Sequence, residues 1–404
     1  MKKLIKIAIL CVCLIMSSFG LLACGTTPPD PETGLQITKY KDEDFYTVHG
    51  YVDDGETAVL DLQAIAGDDV VIGRIKKGAF SGNSTITELI VPSTVEIIDD
   101  GAFSGMRKLQ KITIPFVGNT AIADSYIGET EPSTEKSTNA ERNFGYVFGT
   151  AKYDYSTAST QKYNSNDSNT YYLPLSLREV VIAPANDYTI PAYAFEGNDL
   201  IRKITLTEKV VGIGYNAFDG CSVLNNISYI DTQGETQLGL SATLATIGDY
   251  AFANTTNLKD SGFKFNAQNA VAKLGKYAFN NAGLNQVELP DNLTELGEGC
   301  FSQSKLTAIT SNGVSVVGNN AFYACEELVS ANFGAVENVG HFAFANCKSL
   351  IKFNSATENE IDLTGVVNVC ANAFTGLTEE GETLTVKGAP ANIVDVMGNT
   401  TYNV

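Results

Sequence analysis

Leu284-Asn-Gln-Val-Glu-Leu-Pro-Asp-Asn-Leu-Thr-Glu-Leu-Gly-Glu-Gly-Cys-Phe301 decides how the rest of the chain is read. It holds three apolar words in a fixed order: Leu284-x-x-Val287-x-Leu289-Pro290, then Leu293-x-x-Leu296, then Gly297-x-x-Cys300-Phe301. The alternation of Val287 and Leu289 has the period of a strand, and Pro290 ends it. The same order recurs along the chain. The third word, usually Gly-x-x-Ala-Phe, ends at Phe80, Phe103, Phe195, Phe218, Phe252, Phe279, Phe301, Phe322, Phe344 and Phe374. The shortest spacings between successive Phe are 21–23 residues, and the longest, 92, lies between Phe103 and Phe195. Within that gap Phe144-Gly-Tyr-Val-Phe148 forms a degenerate copy.

A unit of this size with one short strand cannot bury its own apolar side, whereas stacked copies bury it against each other. Parallel strands about 4.8 Å apart in ten to twelve coils predict a body roughly 50–60 Å long. The Ala before Phe is small because it sits beside a stacked ring. The Gly suits a turn with unusual φ or a close backbone approach.

These words resemble the BspA-type leucine-rich repeats, the treponemal class of that superfamily, over about residues 70–388. The resemblance implies a curved leucine-rich-repeat solenoid. Its concave face carries a parallel β-sheet, and short strands, turns and 3-10 segments make the convex face. It also implies a bacterial or protozoan surface protein, some members of the class being adhesins. Residues 46–73 resemble the strand-rich cap that precedes such repeats. The expected organisation is a leader over 1–24, a tether over 25–34, a β-rich cap over 35–71, and repeats over 72–388 with an irregular insertion at 116–176. A terminal cap or tail follows over 389–404.

The amino terminus reads as an export signal. Lys2, Lys3 and Lys6 precede an apolar run from Ile7 to Phe19 that is short for a spanning helix. Leu21-Leu22-Ala23-Cys24 resembles the bacterial lipobox, which implies lipid attachment at Cys24 and anchoring to the outer face of the cell membrane or to the outer membrane. The next ten residues, with three prolines and no aliphatic side chain, read as a semi-stiff spacer.

The chain has 404 residues, with 46 Asp plus Glu, 27 Lys plus Arg, two His and a formal charge of −19. This balance argues against a nucleic-acid partner, which needs clustered cations. The acid excess is concentrated at the ends, with 11 acids against two bases over 25–70 and seven against one over 357–404. Neither His49 nor His341 stands in a motif with a nucleophile or carboxylate partner, and no Cys-x-x-Cys pair suggests zinc. Asp42, Glu43, Asp44, Asp53, Asp54 and Glu56 lack calcium-loop spacing and read as a solvated cap edge. No cofactor, metal or catalytic constellation is expected. Cys221, Cys300, Cys325, Cys347 and Cys370 all occupy repeat positions and read as buried free thiols.

Two regions are candidates for binding. In the strand word the third and fifth residues face solvent. There Lys111 and Lys203, with second-position Arg178 and Arg202, form a basic cluster suited to an acidic peptide or glycan. The competing reading pairs Glu88 with Lys111 and Glu179 with Lys203 across neighbouring strands. The second candidate is the insertion, whose Tyr153, Tyr155, Tyr163, Tyr171 and Tyr172 stand among Ser, Thr, Asn and Gly, as in antibody paratopes. The competing reading is a mobile polar loop, or tyrosines lying along the solenoid's own edge. The functional expectation is a lipid-anchored, adhesin-like, non-catalytic protein that binds a host or bacterial surface protein or glycan. The alternative is an envelope-organising protein whose repeats meet copies of itself.

Overall fold

The computed structural model describes residues 34–121, 140–265, 268, 270–334, 336–377 and 383–404. Cys24 lies outside the described residues. The chain winds into a parallel β-solenoid of about 14 turns. That exceeds the ten to twelve coils given by the Phe word, because coils without the word also stack. At one end Tyr51 N–H donates to Ala79 O, and at the other Phe374 N–H donates to Val396 O.

Each of the three words becomes one side of the coil. The strand word builds the concave sheet. Its first part runs through Val59–Asp61, Glu88–Ile90, Lys111–Ile114, Glu179–Ile182, Lys203–Thr207 and Asn226–Ile230. Register follows the repeat: Glu88, Lys111, Glu179, Lys203 and Asn226 align across the sheet. The antiparallel strand Thr236–Leu238 then closes this part. A second part begins at Gln286–Glu288 and ends at Tyr402–Asn403. The coil carrying Phe252 therefore contributes no strand here, and Phe263 fills the core in its place.

The middle word forms a second, narrower sheet of short strands, such as Thr246–Ile247, Lys273–Leu274, Glu295–Leu296 and Val316–Val317. The Phe word forms a column of turns. In it each Phe N–H donates to the residue before the next Phe, as from Phe218 to Ala251 and from Phe301 to Ala321, both at 2.8 Å. The rings stack inside. From Phe195 to Phe374 neighbouring centroids lie 4.9–5.6 Å apart with planes within 13° of parallel. Gly248, Gly275 and Gly297 sit beside the ring column with their backbones nearly touching. A Cβ on Gly275 would lie 2.4 Å from the Gly248 carbonyl carbon. Close approach, not unusual φ, is what this Gly supplies.

The span expected to be irregular is ordered over 140–174. The 3-10 segment Phe144–Phe148 splices the ring column, with Phe148 against Phe103 and Phe144 against Phe195. An antiparallel hairpin, Ser156–Lys162 with Ser168–Pro174, then packs onto it. Its inward side chains bond to the coil: Gln161 accepts from Gly145 N–H and donates to Ala194 O, and the Tyr171 hydroxyl donates to Ala140 O. The Tyr171 ring fills the space a side chain on Gly145 would need.

The ends are closed. The antiparallel pair Leu35–Lys39 and Tyr46–Tyr51 and the short helix Leu62–Ala66, capped by Asp61, cover one end. The helix Ile393–Met397 buries Val396 and Met397 at the other.

Candidate functional site

The concave sheet places the predicted cations in line but does not leave them all free. Lys111 pairs with Glu88 at 2.7 Å and Lys203 with Glu179 at 3.6 Å. These are the cross-strand pairs of the competing reading. They join a wider pattern in which a cation meets an acid about one coil away: Arg74 with Asp99, Lys209 with Asp187, Lys273 with Glu295, Lys305 with Glu327 and Lys348 with Glu326.

Arg178 and Arg202 break that pattern. They stack on adjacent coils, the Arg202 N–H donating to Arg178 O and the Asn225 N–H to Arg202 O. Like charges on neighbouring strands repel. Arg178 relieves this by turning its guanidinium onto the carbonyls of Leu175 and Leu177, at 2.8 and 2.6 Å. Arg202 is exposed and makes no ion pair among the described residues.

The tyrosines divide. Tyr163 and Tyr171 are buried in the hairpin's inner face, which removes them from any contact surface. Burial raises the phenol pKa of Tyr171 to about 12 and pushes that of half-buried Tyr153 up as well. Tyr172 is half-buried. Tyr155 alone stands well out, 70% exposed with φ 63°. Its carbonyl accepts from Leu175 N–H, which sets exposed Leu175 beside it and close to Arg178. The structure thus brings together Tyr155, Leu175, Arg178 and Arg202 along one edge of the concave sheet, where the hairpin returns to the solenoid.

Sequence reasoning missed Leu175, and also Asn257 and Lys259, which flank Arg202 across a shallow cleft at the break in the sheet. A signal for the cleft existed. No strand word follows Phe252, so the third-position column passes from Asn226 directly to Gln286.

The thiols are spent on packing. Cys221, Cys325 and Cys347 each donate at 3.0 Å to the carbonyl of the preceding coil's Phe, and burial raises the pKa of Cys221, Cys300 and Cys347. All five described cysteines are free, with Cys370 only half-buried. In the cap, Asp53 and Asp54 are occupied by turn N–H groups and by the hydroxyls of Thr85 and Thr57. His341 is exposed, and His49 has its pKa lowered chiefly by burial, with nearby Lys76 adding to the effect.

A family model described as "BspA type Leucine rich repeat region" matches residues 70–134, 164–260 and 245–364 in six copies, more than half of the chain. Proteins of this family are generally non-catalytic binding scaffolds. Among solved structures, a leucine-rich repeat protein from Bacteroides ovatus is 19% identical, with 92% of this chain and 98% of that one covered and a TM-score of 0.35. A leucine rich cell surface protein from Faecalibacterium prausnitzii is 18% identical over 80% of this chain and 94% of its own, with a TM-score of 0.28. The pneumococcal vaccine antigen PcpA is 15% identical over 92% and 96%, with a TM-score of 0.31. No curated protein matches the chain significantly. On its repeats and their stacking, the chain belongs to the BspA-type leucine-rich-repeat family.

Proposed function

We propose that this protein is a non-catalytic, adhesin-like binding protein, held outside a membrane by lipid on Cys24, that takes a host or bacterial surface macromolecule along the concave edge. The observation that carries this reading is the row Tyr155, Leu175, Arg178 and Arg202. Exposed aromatic and arginine side chains dominate binding energy where they cluster, and here a rigid stack presents them together. Arg178 and Arg202 also hold the second position of the strand word, where other coils carry uncharged residues such as Gln110, Asn225 and Thr307, at some expense in repulsion. An acylated Cys24 would hold the body stably, because each buried methylene contributes about 0.8 kcal/mol.

The test is attachment of the full chain to panels of host cells, matrix and neighbouring bacteria. Tyr155→Ala with Arg178→Glu and Arg202→Glu is expected to weaken attachment at least about tenfold, while circular dichroism stays unchanged. Attachment indifferent to the triple variant overturns the reading. In the same cells Cys24→Ala is expected to abolish incorporation of a labelled fatty acid and release the protein to the medium.

A further inference from the structure

The cleft at the break in the concave sheet carries chemistry that the fold does not require. It opens where residues 257–262 cross the end of the strand Asn226–Ile230, with Ile227 N–H donating to Gly262 O. Arg202, Asn225, Asn226, Asn257, Lys259 and Ser261 line it, and no carboxylate does. In a chain with 46 acids against 27 bases, a cleft with two cations and no acid is a departure. The acid next to Lys259 in sequence is engaged elsewhere. Arg202 lies in the backbone ladder between Arg178 and Asn225. Asp260 is adjacent in sequence, but its two oxygens accept from Asn285 and Gln286 N–H, each at 2.8 Å, on the next coil.

We propose that this cleft binds a carboxylated sugar, a hexuronate unit of a surface polysaccharide. The inference rests on the binding reading above and narrows the class of partner. Arg202 and Lys259 supply charge-assisted donors for a carboxylate, the guanidinium in a planar fork that matches it. The Asn225 amide and the Ser261 hydroxyl offer both donors and acceptors, as sugar hydroxyls require, while the Asn257 amide, whose N–H donates to Ser222 O at 2.6 Å, presents its oxygen as an acceptor. The lining has one apolar residue, Val223, and no aromatic pocket for a peptide side chain. A peptide cannot add to Asn226–Ile230, because Thr236–Leu238 already pairs with it, and that outer strand is only three residues long.

Calorimetric titration of the full chain with a short oligogalacturonate tests this, with the uncharged oligogalactose and an oligoglutamate as comparisons. Saturable binding of the oligogalacturonate is expected, weakening with salt. Arg202→Glu with Lys259→Glu should weaken it about tenfold or more, as should the milder Arg202→Gln with Lys259→Gln, while Lys41→Glu in the cap leaves it unchanged. Both substituted side chains are exposed, so folding is retained. No binding, binding indifferent to either double variant, or equally tight binding of oligoglutamate overturns the proposal. If attachment to cells follows the edge residues while oligogalacturonate fails to bind, the sugar assignment alone falls. If oligogalacturonate binds while attachment ignores the edge, the functional reading falls instead.

Discussion

Two residues on either side of each Phe, the backbone turns left-handed. Before the ring this position is Tyr193, Asn216, Tyr250, Tyr277, Asn320, Phe342 or Asn372, with φ between 51° and 60°, or else Gly. After it come Asn254, Asn281, Gln303, Ala324 and Asn346 at 51° to 61°, again alternating with Gly. This pair of stations was not legible in the sequence, because Tyr, Phe, Gln and Ala there look like free variation, and only Gly and Asn carry the signal. The Gly one turn earlier was legible, and of the two reasons open for it the structure selects contact. The two kinds of station predict opposite outcomes. Gly275→Ala should cost about 1–3 kcal/mol by forcing coils apart. Ala324→Gly should add about 0.5–1 kcal/mol by relieving a left-handed Ala, less the entropy a Gly loses. Denaturant midpoints read both. Glu196 gives a pH signature at the same scale. Burial raises its pKa, although Lys162 N–H and its ammonium, at 2.8 and 3.5 Å, oppose the shift. A raised folded pKa means its contribution to stability is full below the unfolded value of 4.5 and is lost as pH rises through the folded value. Glu196→Gln should therefore flatten the decline in stability above about pH 4.5.

The element that organises the molecule is the ring column. Phe279 touches Phe252 and Phe301 along the column and Phe263 and Phe265 from the sheet break. Phe279→Ala should cost about 3–5 kcal/mol. Because stability in a solenoid passes between neighbours, denaturation should then split into two transitions, read by paired fluorescence and circular dichroism. The column and both sheets were legible because apolar residues recur in register. The hairpin was not. Its inward positions are Ser159, Gln161, Tyr163, Tyr171 and Leu173, a period-two pattern whose buried members are mostly polar or phenolic and so read as a surface loop. Hydrogen bonds from Gln161 and Tyr171 to coil backbone make that burial tolerable. The tyrosines thus mend the gap left by a missing coil, and Tyr155 alone is well exposed.

Across the whole molecule, charge and shape tell the same story. Cations and acids pair from coil to coil along the body, each pair contributing little alone but keeping a long repeat soluble. The acid excess lies over 25–70, which includes the first cap, and over 357–404, where most of the acids precede the closing helix Ile393–Met397. The concave edge is the surface proposed for a partner. Amide hydrogen exchange of the full chain, free and bound to the surface that captures it, tests this most directly. New protection is expected over residues 155–178, 202–207 and 257–262, with the Phe-word turns unchanged. Protection confined to those turns, or to the two capped ends, would contradict it.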